Sequence, residues 1–275
     1  MKKSTFDEEI EDGRRFSFGE NWNSFLKGFS EERLTIATES LKKMLRVDNL
    51  HGKSFLDIGC GSGLFSLAAH RLGARVMSLD FDPNSVQCAN ILKDKYGDSS
   101  LHWAIAEGSV LDQEFMLGLG KYDYVYSWGV LHHTGDMIKA LHNATLPLEE
   151  NGTFFIGIYN DQGRKSIFWR KIKESYNSNF IMRGLILSAY ISYMVLRMSL
   201  SDVFRFKNPF SRYSRYKELR GMSIYHDWVD WIGGLPFEVA SPQYIVDFFF
   251  EFHNLKLIGI TTTSTNGINE YVFVK

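Results

Sequence analysis

Ser54-Phe55-Leu56-Asp57-Ile58-Gly59-Cys60-Gly61-Ser62-Gly63, followed by Leu64-Phe65-Ser66-Leu67-Ala68-Ala69-His70-Arg71-Leu72, decides the fold of this chain. A short apolar run holds an acid and leads into three glycines at every second position, after which apolar residues recur at helical spacing. The pattern predicts a buried strand, a tight glycine turn and a helix, with bare backbone that a ligand can approach. The glycine register discriminates between ligands. A dinucleotide fingerprint, Gly-x-Gly-x-x-Gly, is missed from both Gly59 and Gly61, because Leu64 or Ser66 stands where its last glycine belongs. No lysine follows the glycines, which argues against a Walker-type phosphate loop.

Working outward, Gly73-Ala74-Arg75-Val76-Met77-Ser78-Leu79-Asp80 predicts a second buried strand ending in an acid. Asp80 stands where a Rossmann-type unit offers a carboxylate to two ribose hydroxyls. Asp82 and Pro83 then open a helix as cap and first residue. A third such piece is expected within 103–112, a fourth strand within 121–133 ahead of His132 and His133, and a fifth at 153–159 after the Asn151-Gly152 turn. Alternation of strands with helical patterns predicts a doubly wound, mainly parallel sheet with its ligand at the carboxyl ends of the strands.

The Asp57-x-Gly59-x-Gly61-x-Gly63 register resembles motif I of the class I S-adenosylmethionine-dependent methyltransferases, of the bacterial small-molecule type. The resemblance implies that Gly59, Cys60, Gly61 and Gly63 make room for the methionine part of the cofactor and that Asp57 helps to fix its amino end. It puts Asp80, Phe81, Ser109, Val110 and Trp128 along the same ligand. Many members carry Gly-Asp-Ala where this chain has Gly108-Ser109-Val110, so the acidic adenine contact would give way to the Ser109 hydroxyl or the Val110 backbone. The fourth strand looks like motif IV, whose end faces the substrate. Residues 255–261 and 270–274 match the family's terminal strand pair. The implied fold is α/β: a Rossmann-like, doubly wound, mainly parallel seven-stranded sheet with an antiparallel last strand, plus a helical lid insertion after strand five. Its parts would be an N-terminal helical cap at 1–50, a core at 51–160 and 235–275, and a basic, partly apolar lid at 161–234.

Outside the core, Phe18-Gly19-Glu20-Asn21-Trp22 is similar to an N-terminal element that closes over the cofactor in some members. Phe18 or Trp22 could face the sulfonium, for a cation–π gain of about 1 kcal/mol; an N-terminal helix packing its aromatics on the sheet would read the same way. Between Arg164 and Arg220, lysine and arginine outnumber Glu174, Asp202 and Glu218, which suggests an anionic acceptor or a solvated helical face. Within that stretch 184–196 is apolar between Arg183 and Arg197. It is too short to span a bilayer, which takes roughly 20 residues. It reads as a lid helix packed on the sheet, a dimer contact, or a peripheral surface for membrane or a lipid tail.

Methyl transfer from a sulfonium is an in-line displacement that needs positioning and, for a hydroxyl acceptor, a base. His133 and His226 are the favoured candidates, with His132, Asp227 and Tyr159 beside them. The acceptor would be a small or lipid-linked molecule methylated on oxygen or nitrogen. A nucleic-acid methyltransferase using the basic insertion and a non-catalytic cofactor-binding protein are the alternatives; a nicotinamide oxidoreductase fits the architecture but not the glycine spacing. A net charge of −1 makes no bulk case for nucleic acid. The two cysteines, Cys60 and Cys88, lack metal-ligand spacing and suit a reducing cytoplasm, and residues 1–9 contain no apolar signal core. A cytoplasmic enzyme without metal is expected.

Overall fold

The computed structural model describes residues 5–17, 26, 29–205 and 224–275. A short helix α1 (Thr5–Glu11) and a longer α2 (Glu31–Leu45) lead to β1 (Ser54–Ile58) and α3 (Leu64–Arg71). Then follow β2 (Arg75–Asp80), α4 (Pro83–Tyr96), β3 (Trp103–Glu107), α5 (Gln113–Gly118) and β4 (Tyr122–Trp128). A 3-10 turn at Leu131–His133 and α6 (Met137–Thr145) precede β5 (Leu148–Tyr159). The insertion holds α7 (Arg164–Ser178), α8 (Phe180–Phe204) and α9 (Ile224–Gly233), after which α10 (Pro242–His253), β6 (Lys256–Thr261) and β7 (Ile268–Val274) close the chain.

The strands form one seven-stranded sheet in the order β3-β2-β1-β4-β5-β7-β6. β7 runs antiparallel to both β5 and β6, whereas β1 to β5 pair in parallel, as the sequence leads one to expect. Neighbouring strand residues feed opposite layers. Leu56, Phe154 and Ile156 belong to a core beneath α6 and α10, while Phe55, Phe155 and Val76 belong to one beneath α2, α3 and α4. Such two-sided burial is why these strands are continuous apolar runs without alternation. α2 contributes Leu34, Ala37, Leu41 and Leu45 to that second layer, so residues 31–50 are part of the domain and not a separable cap. In the first layer Phe249 is fully buried between Phe154 and Phe273, with ring centroids at 5.3 and 4.9 Å. Phe249→Ala is expected to cost about 3–5 kcal/mol of stability in urea denaturation; a loss below about 1 kcal/mol would show that α10 is not fastened there.

Local signals place the helix starts. Asp82 caps α4 through Asn84 N–H with Pro83 first, and Ser241 caps α10 through Tyr244 N–H with Pro242 first. The insertion leaves and rejoins the sheet at one point: Asn160 and Ala240 bridge, Ala240 N–H donates to Tyr159 O at 3.0 Å, and Asp161 N–H donates to Ala240 O at 3.1 Å. One expectation about it is corrected. The apolar segment 184–196 is only the middle of α8, which runs for 25 residues and is exposed, not packed away. Asn179 starts it early by accepting Met182 N–H at 2.9 Å. Arg183 and Arg197, good helix formers, continue the helix instead of ending it.

Candidate active site

The glycine loop joins β1 to α3 at the centre of the sheet. Gly59, Gly61 and Gly63 have φ of 76, 54 and 81°, a left-handed turn that residues with a Cβ resist. Gly59 and Cys60 N–H both donate to Leu79 O, at 2.8 and 3.0 Å, which laces the loop to the end of β2. A Cβ on Gly59 would lie 2.4 Å from a Val130 methyl, so the turn after β4 closes directly on the loop. Asp80 faces it. Its Oδ2 accepts Gly61 N–H at 2.8 Å and its Oδ1 accepts Asp82 N–H at 2.9 Å. Each oxygen keeps a further lone pair for a ligand hydroxyl. Burial pushes the Asp80 carboxyl up to about 6 despite these bonds.

Asp57 sits beneath the loop at 2% exposure, so it does not open onto the cleft as a direct contact would require. Burial raises it to about 7, and its Oδ2 accepts the Ser66 hydroxyl at 2.5 Å. Ser66 accepts from Ser78, and Ser78 accepts from Trp103 Nε1, a buried chain that ties β1, α3, β2 and β3 together. The Cys60 thiol is pushed well up by burial and by Asp80 and Asp57, which makes it a packing group.

Phe81, after Asp80, is covered from the N-terminal side. Phe6 of α1 meets it edge-on at 5.6 Å, and the Arg15 guanidinium lies 5.0 Å from its ring centroid. Arg15 also donates to His133 O at 3.0 Å and to Glu9 at 2.5 Å. Phe6 and Arg15 thus cover this end of the sheet; Phe18 and Trp22, the residues expected to close over the cofactor, lie outside the described residues. The Ser109 hydroxyl accepts Leu111 N–H at 3.2 Å, and the Val110 carbonyl accepts from Asn143 Nδ2 at 2.8 Å; each keeps a further lone pair for a ligand. Trp128 turns toward β5 and β7, where its Nε1 donates to Glu270 at 2.9 Å, and Val130 takes the place beside the glycines.

Past β4, imidazoles and aromatics gather between sheet and insertion. His132 is fully buried; its Nδ1 accepts Tyr159 N–H at 3.4 Å, its ring lies 4.1 Å from the Tyr159 ring, and its Nε2 has no hydrogen-bond partner. Burial, then His133 and Lys173, hold it well below the usual histidine range. Full burial makes it a wall of the site. His133 is half-buried, and its Nδ1 lies 2.5 Å from Pro236 O. A carbonyl only accepts, so Nδ1 carries the proton and Nε2 the lone pair. Burial holds this ring near 3, against the pull of that bond, and keeps it neutral above about pH 4. Tyr159 packs edge-on to Trp231 at 5.5 Å and against Phe237 at 5.5 Å; burial, Asp230 and Asp227 raise its hydroxyl far above the usual value. Asp227 and His226 both lie on α9, and Asp227 is half-exposed. The His226 side chain is outside the described residues.

Lys173 on α7 is the residue the sequence hides. It is fully buried, 4.5 Å from the Trp231 ring centroid and 4.8 Å from that of Phe237, and donates to Trp231 O. Burial lowers its ammonium to about 7, with Asp230 pulling the other way. A signal existed: the buried α7 residues Ser166, Lys173 and Tyr176 repeat at helical spacing, and that face contains one lysine among neighbours whose charges are exposed.

A 660 Å³ cavity opens beside this cluster, lined by the end of α1, α7 and residues 235–238. Its Arg14, Arg170 and Arg183 are balanced by Glu11, Asp12, Glu174 and Glu238, so it offers no concentrated positive site for an anion. Among the described residues no group of three or more His, Cys, Asp or Glu side chains could hold a metal ion.

Residues 56–154 match the family described as a methyltransferase domain. The ribosomal protein L11 methyltransferase of Helicobacter hepaticus is 34% identical over 109 residues, which are 39% of this chain and 32% of that protein. The ubiquinone biosynthesis O-methyltransferase of Burkholderia orbicola is 31% identical over 139 residues, 50% of this chain and 56% of that protein. The chain thus spans between a third and just over half of these relatives. Among solved structures, magnesium protoporphyrin IX methyltransferase of Synechocystis PCC 6803, with bound S-adenosylhomocysteine, superposes with a TM-score of 0.51 at 13% identity. That pairing covers 100% of this chain and 89% of the other and establishes the shared fold.

Proposed function

We propose that the chain is a class I S-adenosylmethionine-dependent methyltransferase, on the strength of its 56–154 domain and its sheet, and that it methylates a hydroxyl or amine of a small, apolar or lipid-linked acceptor. The observation that carries the reading is the pairing of the left-handed Gly59–Gly63 loop with the Asp80 carboxylate at the carboxyl ends of β1 and β2. These residues fit the cofactor: three of the five loop residues offer backbone without a side chain, and Asp80 keeps two lone pairs for a pair of ribose hydroxyls. When bound, S-adenosylmethionine supplies an electrophilic methyl on a sulfonium.

The chain's own groups do the rest. Gly59, Cys60, Gly61 and Gly63 make room for the methionine end, and Phe6, Phe81 and Arg15 exclude water from the adenosine side. His133, with its Nδ1 proton held on Pro236 O, keeps a lone pair at Nε2 and takes the proton of an acceptor hydroxyl. Tyr159, Trp231 and Phe237 form an aromatic wall suited to a flat or apolar acceptor, and the similarity to ubiquinone biosynthesis O-methyltransferases supports that class.

Calorimetric titration with S-adenosylmethionine, S-adenosylhomocysteine and NAD tests the cofactor: the first two should bind and NAD should not, and the reverse would overturn the reading. His133→Ala should leave S-adenosylmethionine affinity within about twofold and lower turnover by about a hundredfold. Because His133 is neutral above about pH 4, the wild-type rate should show no acid limb near 6.5. A limb there would assign the proton to another histidine.

A further inference from the structure

We infer that the outward face of α8 is a docking surface for an anionic lipid bilayer, on which the helix lies flat without crossing. The helix is long enough to cross: 25 residues at 1.5 Å each reach about 37 Å, against a hydrocarbon core of about 30 Å. Its mean hydropathy is 1.3, and none of its most apolar window is buried. That separates it from a core helix of the same composition. Its inner face does pack, with Tyr190 edge-on to Trp169 at 6.0 Å and to Trp228 at 6.4 Å. The outer face carries Leu185, Leu196, Leu200 and Val203, with Leu185 and Leu196 more than 60% exposed. Phe204 at its end is 80% exposed. An apolar stripe of this length normally has an occupant.

The sheet decides against a crossing. β5 precedes the insertion and β7 follows it, yet they pair from Thr153↔Val274 to Tyr159↔Ile268. Both therefore lie on one side of any membrane, and one passage through it is impossible. A return passage would need a second apolar helix; α8 is the one helix of that kind among the described residues. The sequence from 206 to 223 carries Lys207, Arg212, Arg215, Lys217 and Arg220, too many charges for hydrocarbon. A helix that cannot cross but is apolar outward rests in the interface.

Charge selects the occupant. Residues 164–205 expose Arg164, Lys165, Arg170, Lys171, Arg183, Arg197 and Arg205, of which Arg170 and Arg183 line the cavity described above, while Glu174 is their exposed acid and Asp202 is buried. Such a surface is drawn to anionic headgroups, with long side chains able to reach up around a sunken helix. A second copy fits less well. A twofold contact sets the same patch against itself, and α8 exposes no carboxylate to meet its own arginines. This inference rests on α8 and the sheet, not on methyl transfer.

The test is co-sedimentation of the full chain with vesicles of phosphatidylcholine alone and of phosphatidylcholine with phosphatidylglycerol. The chain should pellet with the anionic vesicles at least tenfold more than with the neutral ones, and less as salt rises. The double variant Leu185→Glu with Leu196→Glu changes only exposed positions, so it should keep the wild-type Tm and S-adenosylmethionine affinity and lose vesicle binding at least tenfold. Equal recovery with both vesicles, or none with either, overturns the proposal. So does a wild-type dimer in light scattering that the double variant converts to monomer without any change in vesicle binding. Loss of cofactor binding in the wild type would count against the methyltransferase reading and leave this one standing.

Discussion

Gly59→Ala is expected to weaken S-adenosylmethionine binding by at least a hundredfold in a chain that still folds. Two independent costs meet at this position. The φ of 76° places a Cβ in the left-handed region, at about 1–2 kcal/mol. The added methyl would also lie 2.4, 2.5 and 2.9 Å from the Val130 side chain, which adds about 1–3 kcal/mol of overpacking. The loop can relieve both only by shifting from Leu79 O, where Gly59 and Cys60 are held, and a shift there moves Gly61 off Asp80. Calorimetric titration of the folded variant reads the loss. Val130→Ala in the same chain should restore part of the affinity, because it removes the clash and leaves the φ cost. Gly118→Ala is the control: nothing lies within 4 Å of its Cβ position, and affinity should not change. Unaltered affinity in Gly59→Ala would remove the loop from the cofactor site.

Lys173→Met should stabilise the chain at low pH and remove a rise in stability between about pH 7 and 10.5. The ordinary lysine value is 10.5, and burial brings this one to about 7 in the fold. Between those values the unfolded chain binds more protons than the folded one, so wild-type stability rises as pH increases from about 7 to about 10.5. Below pH 7 both forms are protonated, and the buried charge exerts its full cost, on the order of 4 kcal/mol. The Trp231 carbonyl bond and the two ring contacts offset part of it. Methionine fills a similar volume without charge. At pH 6 the variant should be more stable by on the order of 3 kcal/mol, and the difference should shrink toward pH 10. Urea denaturation at pH 6, 8 and 10 checks it, and parallel profiles for the two chains would show that Lys173 is solvated.

The parts of the fold and site that could be read from the sequence are those set by near neighbours. The glycine register, the acid ending β2, and the Asp-Pro and Ser-Pro helix starts each act within a few residues, and each stands where its residues say. What escaped depends on partners far along the chain. Trp128 is turned by Glu270, 142 positions away, and His133 is fixed by Pro236, 103 positions away. Lys173 looks like one more charge on a basic helix until Trp231 and Phe237 fold over it. Asp57 reads as a ligand contact because its strand position is right; only the packing of Ser66 and Ser78 turns it inward. The extent of α8 is hidden for the opposite reason. Arginines flanking an apolar run read as boundaries, though helix propensity passes through them.

The bridge between Asn160 and Ala240 carries an evolutionary consequence. With both ends of the excursion tied at one spot, the strands experience it as a single closed ring whose length hardly matters, since doubling a flexible loop costs only about 0.6 kcal/mol. Ancestral chains could lengthen, shorten or exchange α7 and α8 while the glycine loop and Asp80 stayed untouched. New acceptors would then be acquired by grafting on that ring, as long as Pro236 kept its hold on His133.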